Sequence, residues 1–265
     1  MSAADDVELL TEAAREAGAL ALTFFRQNPK TWPKGETSVV SEADIALDNL
    51  LAARLLAARP DYGWLSEETV DDPARRRQSR VFVVDPIDGT KGFLAGGTEW
   101  TVSLAIVEDG RPVAAALFAP ALGSLFQAVA GKGATRDGAP LRVSARAVLA
   151  GANVAGSRRL VRDALELSSI PLEYYGFVSS LAYRFALVAA GEIDAAIARP
   201  GAYDWDLAAA DLLVHEAGGC LADLSGNRPR YNGPDGRHPA LVAATPELSD
   251  PIAALVALAE LRRAG

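Results

Sequence analysis

The sequence predicts a mixed α+β / α/β protein with an antiparallel-rich N-terminal sheet, a smaller C-terminal sheet and helices covering both. Three observations predict it. Between residues 81 and 143, short apolar runs follow one another at turn-sized intervals, as antiparallel pairs do. Beyond residue 150, strand-like and helix-like runs alternate. An amphipathic segment of helical period opens the chain, and a helix signalled by Asp250-Pro251 closes it. The change of pattern divides the chain into two subdomains, 1–150 and 151–265. With 265 residues, half of them hydrophobic, the chain is long enough to bury a core in each.

The elements follow in order. Leu10, Ala13, Ala17, Leu20, Ala21 and Phe24 recur at helical spacing, and Asn28-Pro29 ends this first helix. Residues 30–37 are polar, contain Pro33 and Gly35, and read as a loop or tight hairpin that brings Lys34 near a site. A second helix starts near Ser41, an N-cap, and runs through Ile45, Leu47, Leu51 and Leu55 to Arg59-Pro60. The charged stretch 61–80 reads as loop, and 81–84 as a buried strand. Strands 101–107 and 113–119 flank the turn Glu108-Asp109-Gly110, and 125–130 is a further strand before Gly131-Lys132-Gly133. Arg136-Asp137-Gly138 is another turn. In the second half, 152–155, 193–198, 221–224 and 240–244 read as strands. Helices are expected at 159–167, at 181–190 before Gly191, and at 207–217, capped by Asp206 and stopped by Gly218-Gly219. Asp250-Pro251 opens the last helix, with proline at its first position.

Composition narrows the chemistry. A net charge of −8 argues against nucleic-acid polymers as partners, but not against a small phosphorylated substrate, because a bound dication reverses the local field. No apolar run approaches membrane-spanning length, and the acidic start Met1-Ser2-Ala3-Ala4-Asp5-Asp6 is unlike a secretory signal, so a cytoplasmic protein is expected. One cysteine, Cys220, excludes an internal disulfide and a thiolate zinc cluster; it is expected to be a small buried hydrophobe. With only His215 and His238, any metal relies on oxygen ligands.

Asp85-Pro86-Ile87-Asp88-Gly89-Thr90 closes the apolar run 81–84. Pro86 restrains a turn in which Asp85, Asp88 and the Ile87 carbonyl converge on one hard cation. Gly89 lets backbone approach a ligand, and the amides of Gly89 and Thr90 open a short helix toward a phosphate. An isolated motif of this kind is most simply an acidic turn; the buried strand before it and Thr90 after it favour a metal-assisted phosphate site. Glu67-Glu68 by itself is a solvated charge pair. Tyr203-Asp204-Trp205-Asp206 is a helix start, and Ser41-Glu42-Ala43-Asp44 a capping box with Asp in place of Glu.

Together these segments resemble the inositol monophosphatase superfamily of Mg²⁺-dependent, typically lithium-sensitive phosphatases. The resemblance spans almost the whole chain and rests on Ser41-Glu42-Ala43-Asp44, Ser66-Glu67-Glu68-Thr69, Val84-Asp85-Pro86-Ile87-Asp88-Gly89-Thr90, and Asp204-Trp205-Asp206-Leu207-Ala208-Ala209-Ala210 with Glu216-Ala217-Gly218-Gly219. It implies a layered α-β-α-β-α sandwich and two or three Mg²⁺ ions. By resemblance, Glu67, Asp85 and the Ile87 carbonyl hold a first metal, and Asp85, Asp88 and Asp206 a second. Gly89 and Thr90 cradle the phosphate, while Thr90, held by Asp44, orients the attacking water with Glu67. A homodimer is implied on the same ground alone. A non-catalytic binding module on this fold would be expected to lack a metal carboxylate, and all four are present.

The substrate is less determined. Lys91-Gly92-Phe93 follows Thr90 where inositol phosphatases usually have Asn before Phe, and so resembles the bacterial 3′(2′),5′-bisphosphate nucleotidases. Gly156-Ser157-Arg158 resembles their Ser-Arg segment, although Arg159 and Leu160 stand where Ser and His are expected. A bisphosphate needs additional cations, and Lys91, Arg158 and Arg184 are the candidates. The ranking is 3′-phosphoadenosine 5′-phosphate first, inositol 1-phosphate second and histidinol phosphate third.

Overall fold

The computed structural model describes residues 3–35, 38–168 and 170–264. Glu36 and Thr37, from the expected hairpin, lie outside them. Helix α1 (Ala3–Phe24) leads into a two-stranded hairpin, β1 (Thr31–Lys34) and β2 (Ser38–Ser41), then α2 (Glu42–Ala58). A seven-stranded sheet follows in simple spatial order: β3 (Gly63–Ser66), β4 (Arg80–Asp88), β5 (Thr101–Glu108), β6 (Arg111–Ala119), β7 (Ser124–Val129), β8 (Gly133–Arg136) and β9 (Ala139–Pro140). Short helix α3 (Thr90–Leu94) interrupts it after β4. The second half contributes β10 (Asn153–Ala155), α4 (Arg158–Ser168), β11 (Glu173–Gly176), α5 (Leu181–Ala189), β12 (Ala195–Ala198), α6 (Asp204–Glu216), β13 (Cys220–Asp223), β14 (Leu241–Ala244) and α7 (Pro246–Ala264).

The large sheet is antiparallel except for the β3–β4 pair. The smaller sheet has five strands in the order β11-β10-β12-β14-β13, parallel on the β11 side and antiparallel on the β13 side. Helices α1 and α2 pack on one face of the large sheet. Helices α5 and α6 lie between the two sheets, and α4 and α7 cover the outer face of the small one. This is the expected α-β-α-β-α order.

Burial explains the central strands. Phe82 and Val84 of β4, with Val102, Leu104 and Ile106 of β5, face α1 and α2. Val81, Val83, Ala105 and Val107 face α5 and α6. Both faces are apolar, so these strands read as continuous runs rather than alternating ones. Burying a side chain such as Phe82 or Leu104 contributes about 1.5–3 kcal/mol.

Some expectations are corrected. Residues 61–80 are not all loop: Gly63–Ser66 is an edge strand beside β4, and Pro73–Arg77 is a turn of 3₁₀ helix. Only four residues are extended there, and the surrounding acidic residues hide them. The first helix stops at Phe24, before Asn28-Pro29, because Arg26 and Asn28 adopt left-handed conformations (φ 62° and 51°). The last helix begins at Pro246, with Pro251 inside it rather than at its start. Asp206 is the third residue of α6, not its N-cap; its carboxylate accepts from the backbone N–H of Tyr203, the residue that precedes the helix (2.6 Å). Cys220 is half-buried at the start of β13.

Candidate active site

In a regular strand, residues three apart point to opposite faces. Asp85 pairs with Ser103 and Asp88 with Thr101, so β4 carries one extra residue against β5. This bulge brings both carboxylates to the face that α5 and α6 cover, while Ile87 points into the opposite core. Pro86 has no N–H to lose from the ladder at that point. The Ile87 amide instead donates to Asp85 Oδ1 (3.0 Å).

Asp206 reaches the same place from the first turn of α6, whose start is tied to β5 by the Ser103 hydroxyl donating to the Trp205 carbonyl (3.2 Å). One oxygen from each of Asp85, Asp88 and Asp206 lies within 4.8 Å of the others. Burial raises the pKa of Asp85 well above the ordinary carboxylate value, and Glu67, Asp88, Asp206 and Asp44 add to it. Asp206 is raised by burial and then by Asp88. Asp88 is also pushed up by burial, to about 6, against the hydrogen bonds it accepts from Ser180, Ala182 and Leu181. Two buried carboxylates and a half-buried one, mutually repelling, are a fit donor set for a hard dication.

Glu67 follows β3, and its amide donates to Val84 O (3.2 Å), which places it at the end of β4. It lines the same cavity as the three aspartates. Lys34, from the β1–β2 hairpin, donates to the Glu67 carbonyl (2.7 Å), to Glu67 Oε1 (3.2 Å) and to Glu68 Oε2 (2.9 Å). Burial works against the Lys34 charge, yet these two carboxylates raise its pKa. Burial likewise pushes Glu68 to about 7, with Lys34 opposing.

Asp44 serves two structures at once. Its Oδ2 accepts the Ser41 amide (2.8 Å) and hydroxyl (2.6 Å), completing the expected capping box of α2. Its Oδ1 lies 3.1 Å from the Thr90 hydroxyl, which is also 3.1 Å from the Ile87 carbonyl. Gly89 has φ +94°, and a side chain there would meet Ser180 N at 3.0 Å. A Cβ on Gly92 would lie 2.6 Å from the Ser179 side chain, and Phe93 is buried edge-on against Trp100 (4.9 Å). Within Lys91-Gly92-Phe93, two residues are therefore set by packing, and Lys91 faces the cavity.

The cavity holds about 890 Å³, with Glu67, Asp85, Asp88, Gly89, Thr90 and Asp206 at its acidic end. Glu99, Leu122, Phe177, Ser179 and Tyr183 also line it. The sequence reading missed all five; none belongs to a motif, and Glu99 follows α3, Leu122 lies in the turn between β6 and β7, and Phe177, Ser179 and Tyr183 surround the start of α5. Arg158 and Arg184 do not line this cavity but a smaller neighbour. His238 is bound to Asp204 (2.7 Å) and His215 to Asp211 (3.0 Å), away from the carboxylate cluster. Among the described residues no helix is long and apolar enough to cross a membrane.

A model of the inositol monophosphatase family matches residues 4–260. An inositol-1-monophosphatase of Mesorhizobium japonicum is 34% identical over 84% of this chain and 86% of its own. A histidinol-phosphatase of Chlorobaculum parvum is 32% identical over 86% and 89%. A 3′(2′),5′-bisphosphate nucleotidase of Aggregatibacter actinomycetemcomitans is 30% identical over 83% and 85%. The solved structure of a Thermotoga maritima inositol monophosphatase superposes with a TM-score of 0.86, covering 98% of this chain and all of its own at 24% identity, which bears on the fold. Three relatives named for three substrates lie at nearly equal identity, so similarity identifies the reaction class and not the ester. The chain belongs to the inositol monophosphatase family and is a metal-dependent phosphatase.

Proposed function

We propose that this protein is a Mg²⁺-dependent phosphomonoesterase that hydrolyses a small phosphorylated metabolite, with 3′-phosphoadenosine 5′-phosphate the first-ranked substrate. The observation that carries the reading is the convergence of Asp85, Asp88 and Asp206 beside Gly89 and Thr90. Glu67, Asp85 and the Ile87 carbonyl would hold one Mg²⁺, and Asp85, Asp88 and Asp206 another. The ions would supply a more acidic water and neutralise charge on the phosphoryl group and the leaving oxygen.

The chain's own groups do the rest. Gly89 and Thr90 orient the phosphate, with the positive φ of Gly89 keeping a side chain out of its way. Thr90 donates its proton to Asp44, which leaves the hydroxyl oxygen free to accept from the attacking water. Glu67 accepts the other side of that water. One water and one phosphomonoester give one alcohol and one orthophosphate: the water oxygen bonds to phosphorus, the ester P–O bond breaks, and the proton ends on the departing oxygen. No protein nucleophile is needed.

Support for a nucleotide is the presence of Phe177, Tyr183 and Leu122 in the lining of the same cavity, aromatic and apolar surface suited to a flat base. Inositol 1-phosphate and then histidinol phosphate are the alternatives; Glu99, whose pKa burial raises, is a group that a hydroxyl or ammonium would satisfy. Lithium inhibition and a homodimer accompany the reading by family resemblance. The test is phosphate release with Mg²⁺ from 3′-phosphoadenosine 5′-phosphate, inositol 1-phosphate, histidinol phosphate and fructose 1,6-bisphosphate, side by side. The highest kcat/KM is expected with the nucleotide; a higher value for another ester replaces it, and no release from any ester overturns the phosphatase reading.

A further inference from the structure

Helix α2 packs an otherwise apolar face on the large sheet: Ala43, Leu47, Leu51 and Leu55 are buried there, and so are Asp44 and Asp48. Two carboxylates one turn apart on such a face repel each other and lose solvation, so each needs strong hydrogen bonds to stay there. Asp44 uses its oxygens on the cap of its own helix and on Thr90. Asp48 uses both of its oxygens on one distant segment. Its Oδ1 accepts from the Ser66 hydroxyl, and its Oδ2 accepts from the Thr69 hydroxyl (2.6 Å).

Ser66 and Thr69 bracket Glu67 and Glu68. Strand β3 ends at Ser66, and the Glu67 amide still bonds to β4, at Val84 O (3.2 Å). Beyond it the chain leaves the sheet, and the Asp48 carboxylate closes the loop from the α2 side. The Trp64 indole N–H donates to the Thr69 hydroxyl oxygen (3.3 Å), and the Glu68 amide donates to Ser66 Oγ (3.4 Å), so both hydroxyls are also tied to the loop itself. Hydroxyl-to-carboxylate bonds are short, charge-assisted and strong. A carboxylate binds a metal better when the loop that carries it is already held, because less freedom is lost on binding. Asp44 and Asp48 thus hold, from adjacent turns of one helix, Thr90 and the Glu67 loop, the two groups assigned to the attacking water.

We propose that Asp48 is a positioning residue of the metal site: it clamps the loop from Ser66 to Thr69 so that Glu67 is presented to the first metal and to the attacking water. Asp48 does not line the reaction cavity, so it acts through Glu67. With Asp44 one turn earlier, it makes α2 the common reference from which Glu67 and Thr90 are placed. This role rests on the phosphatase reading and concerns metal binding ahead of the chemical step.

The test measures Mg²⁺ binding by calorimetric titration without substrate, and kcat and KM with Mg²⁺ for whichever of the four esters is hydrolysed best. It compares the wild type, Asp48→Ala, Asp48→Asn and Thr69→Val. Thr69 is exposed, so its variant decides the matter if Asp48→Ala fails to fold. Asp48→Ala and Thr69→Val are expected to weaken Mg²⁺ binding roughly tenfold or more and to lower kcat, with KM changed less than about twofold. Asp48→Asn is expected to recover most of the loss, because an amide accepts from one hydroxyl through its oxygen and donates to the other through its nitrogen. Unchanged Mg²⁺ affinity and kcat in Asp48→Ala and Thr69→Val, with only a lower Tm, overturn the positioning role while the phosphatase reading stands. An Asn variant as impaired as the Ala variant also overturns it, since Asp48 then acts by its charge and not by holding the loop. A wild type that binds Mg²⁺ but releases no phosphate overturns the phosphatase reading, and the calorimetric comparison then decides on Asp48; no Mg²⁺ binding overturns both.

Discussion

Asp88 accepts a hydrogen bond from the hydroxyl of Ser180, 92 residues further along the chain. The amides of Leu181 (3.2 Å) and Ala182 (2.6 Å) donate to the same carboxylate. Ser180 is also the N-cap of α5, accepting from the Tyr183 amide (2.9 Å). One aspartate at the end of β4 thus sits on the start of a helix from the other half, with Oδ1 still able to accept a cation.

Ser180→Ala tests this arrangement. Losing the cap is expected to cost about 1 kcal/mol of stability. Losing a donor that orients a metal-binding carboxylate should raise the half-saturating Mg²⁺ concentration roughly 10-fold or more. Thermal unfolding and Mg²⁺ titration of activity read the two effects separately; an unchanged Mg²⁺ requirement would mean that the Ser180 bond does not position Asp88.

Asp88→Asn is expected to lower kcat roughly 10³-fold with the fold intact. The amide oxygen can still accept from α5, but a ligand charge is gone. Far-ultraviolet circular dichroism and phosphate release check it; activity within several-fold of wild type would disprove the metal assignment.

A pH dependence follows from the same cluster. Burial raises Asp88 from 3.8 to about 6, and raises Asp85 and Asp206 as well. Such groups bind more protons folded than unfolded, so their contribution to stability is present at low pH and is lost as pH rises through the folded values. Without metal, the wild type should lose stability relative to Asp88→Asn as pH climbs from about 4 to above 6. Mg²⁺ should raise the wild-type Tm more at about pH 7.5 than at about pH 5. A Tm gain independent of pH would contradict this.

Lys34 competes with any cation for Glu67 Oε1. Lys34→Ala is expected to tighten metal binding severalfold in the absence of substrate, measured by calorimetric titration with Mg²⁺. Weaker binding would show that Lys34 organises Glu67 for the metal instead.

Gly92 tests whether its neighbourhood reports substrate or packing. Gly92→Ala should destabilise the protein by about 1–3 kcal/mol through its contact with Ser179, and Ser179→Gly in the same chain should recover much of it. If both variants keep full stability but change substrate preference, the segment is a specificity element.

Glu67 stood out only through the family resemblance, whereas the strand closed by Asp85 through Thr90 and the capping box of Ser41 and Asp44 were legible because strands, caps and acidic turns are local patterns with local causes. The same holds for the hairpin of β5 and β6, where Asp109 and Gly110 take the positive φ values that a tight turn demands. Strand β3 was not legible, because four residues become a strand only when β4 is beside them. By itself the sequence determined the reaction class, through its family resemblance, and the elements β4, α2 and α6 that carry Asp85, Asp88, Asp44 and Asp206. Only the tertiary structure decided that a one-residue bulge turns Asp85 and Asp88 to one face, that Glu99, Phe177 and Tyr183 wall the cavity, and that Arg158 and Arg184 join Arg199 in a separate one. The physical reason is range: a motif specifies which atoms can bind a metal, but which distant side chains share a cavity depends on how whole layers pack.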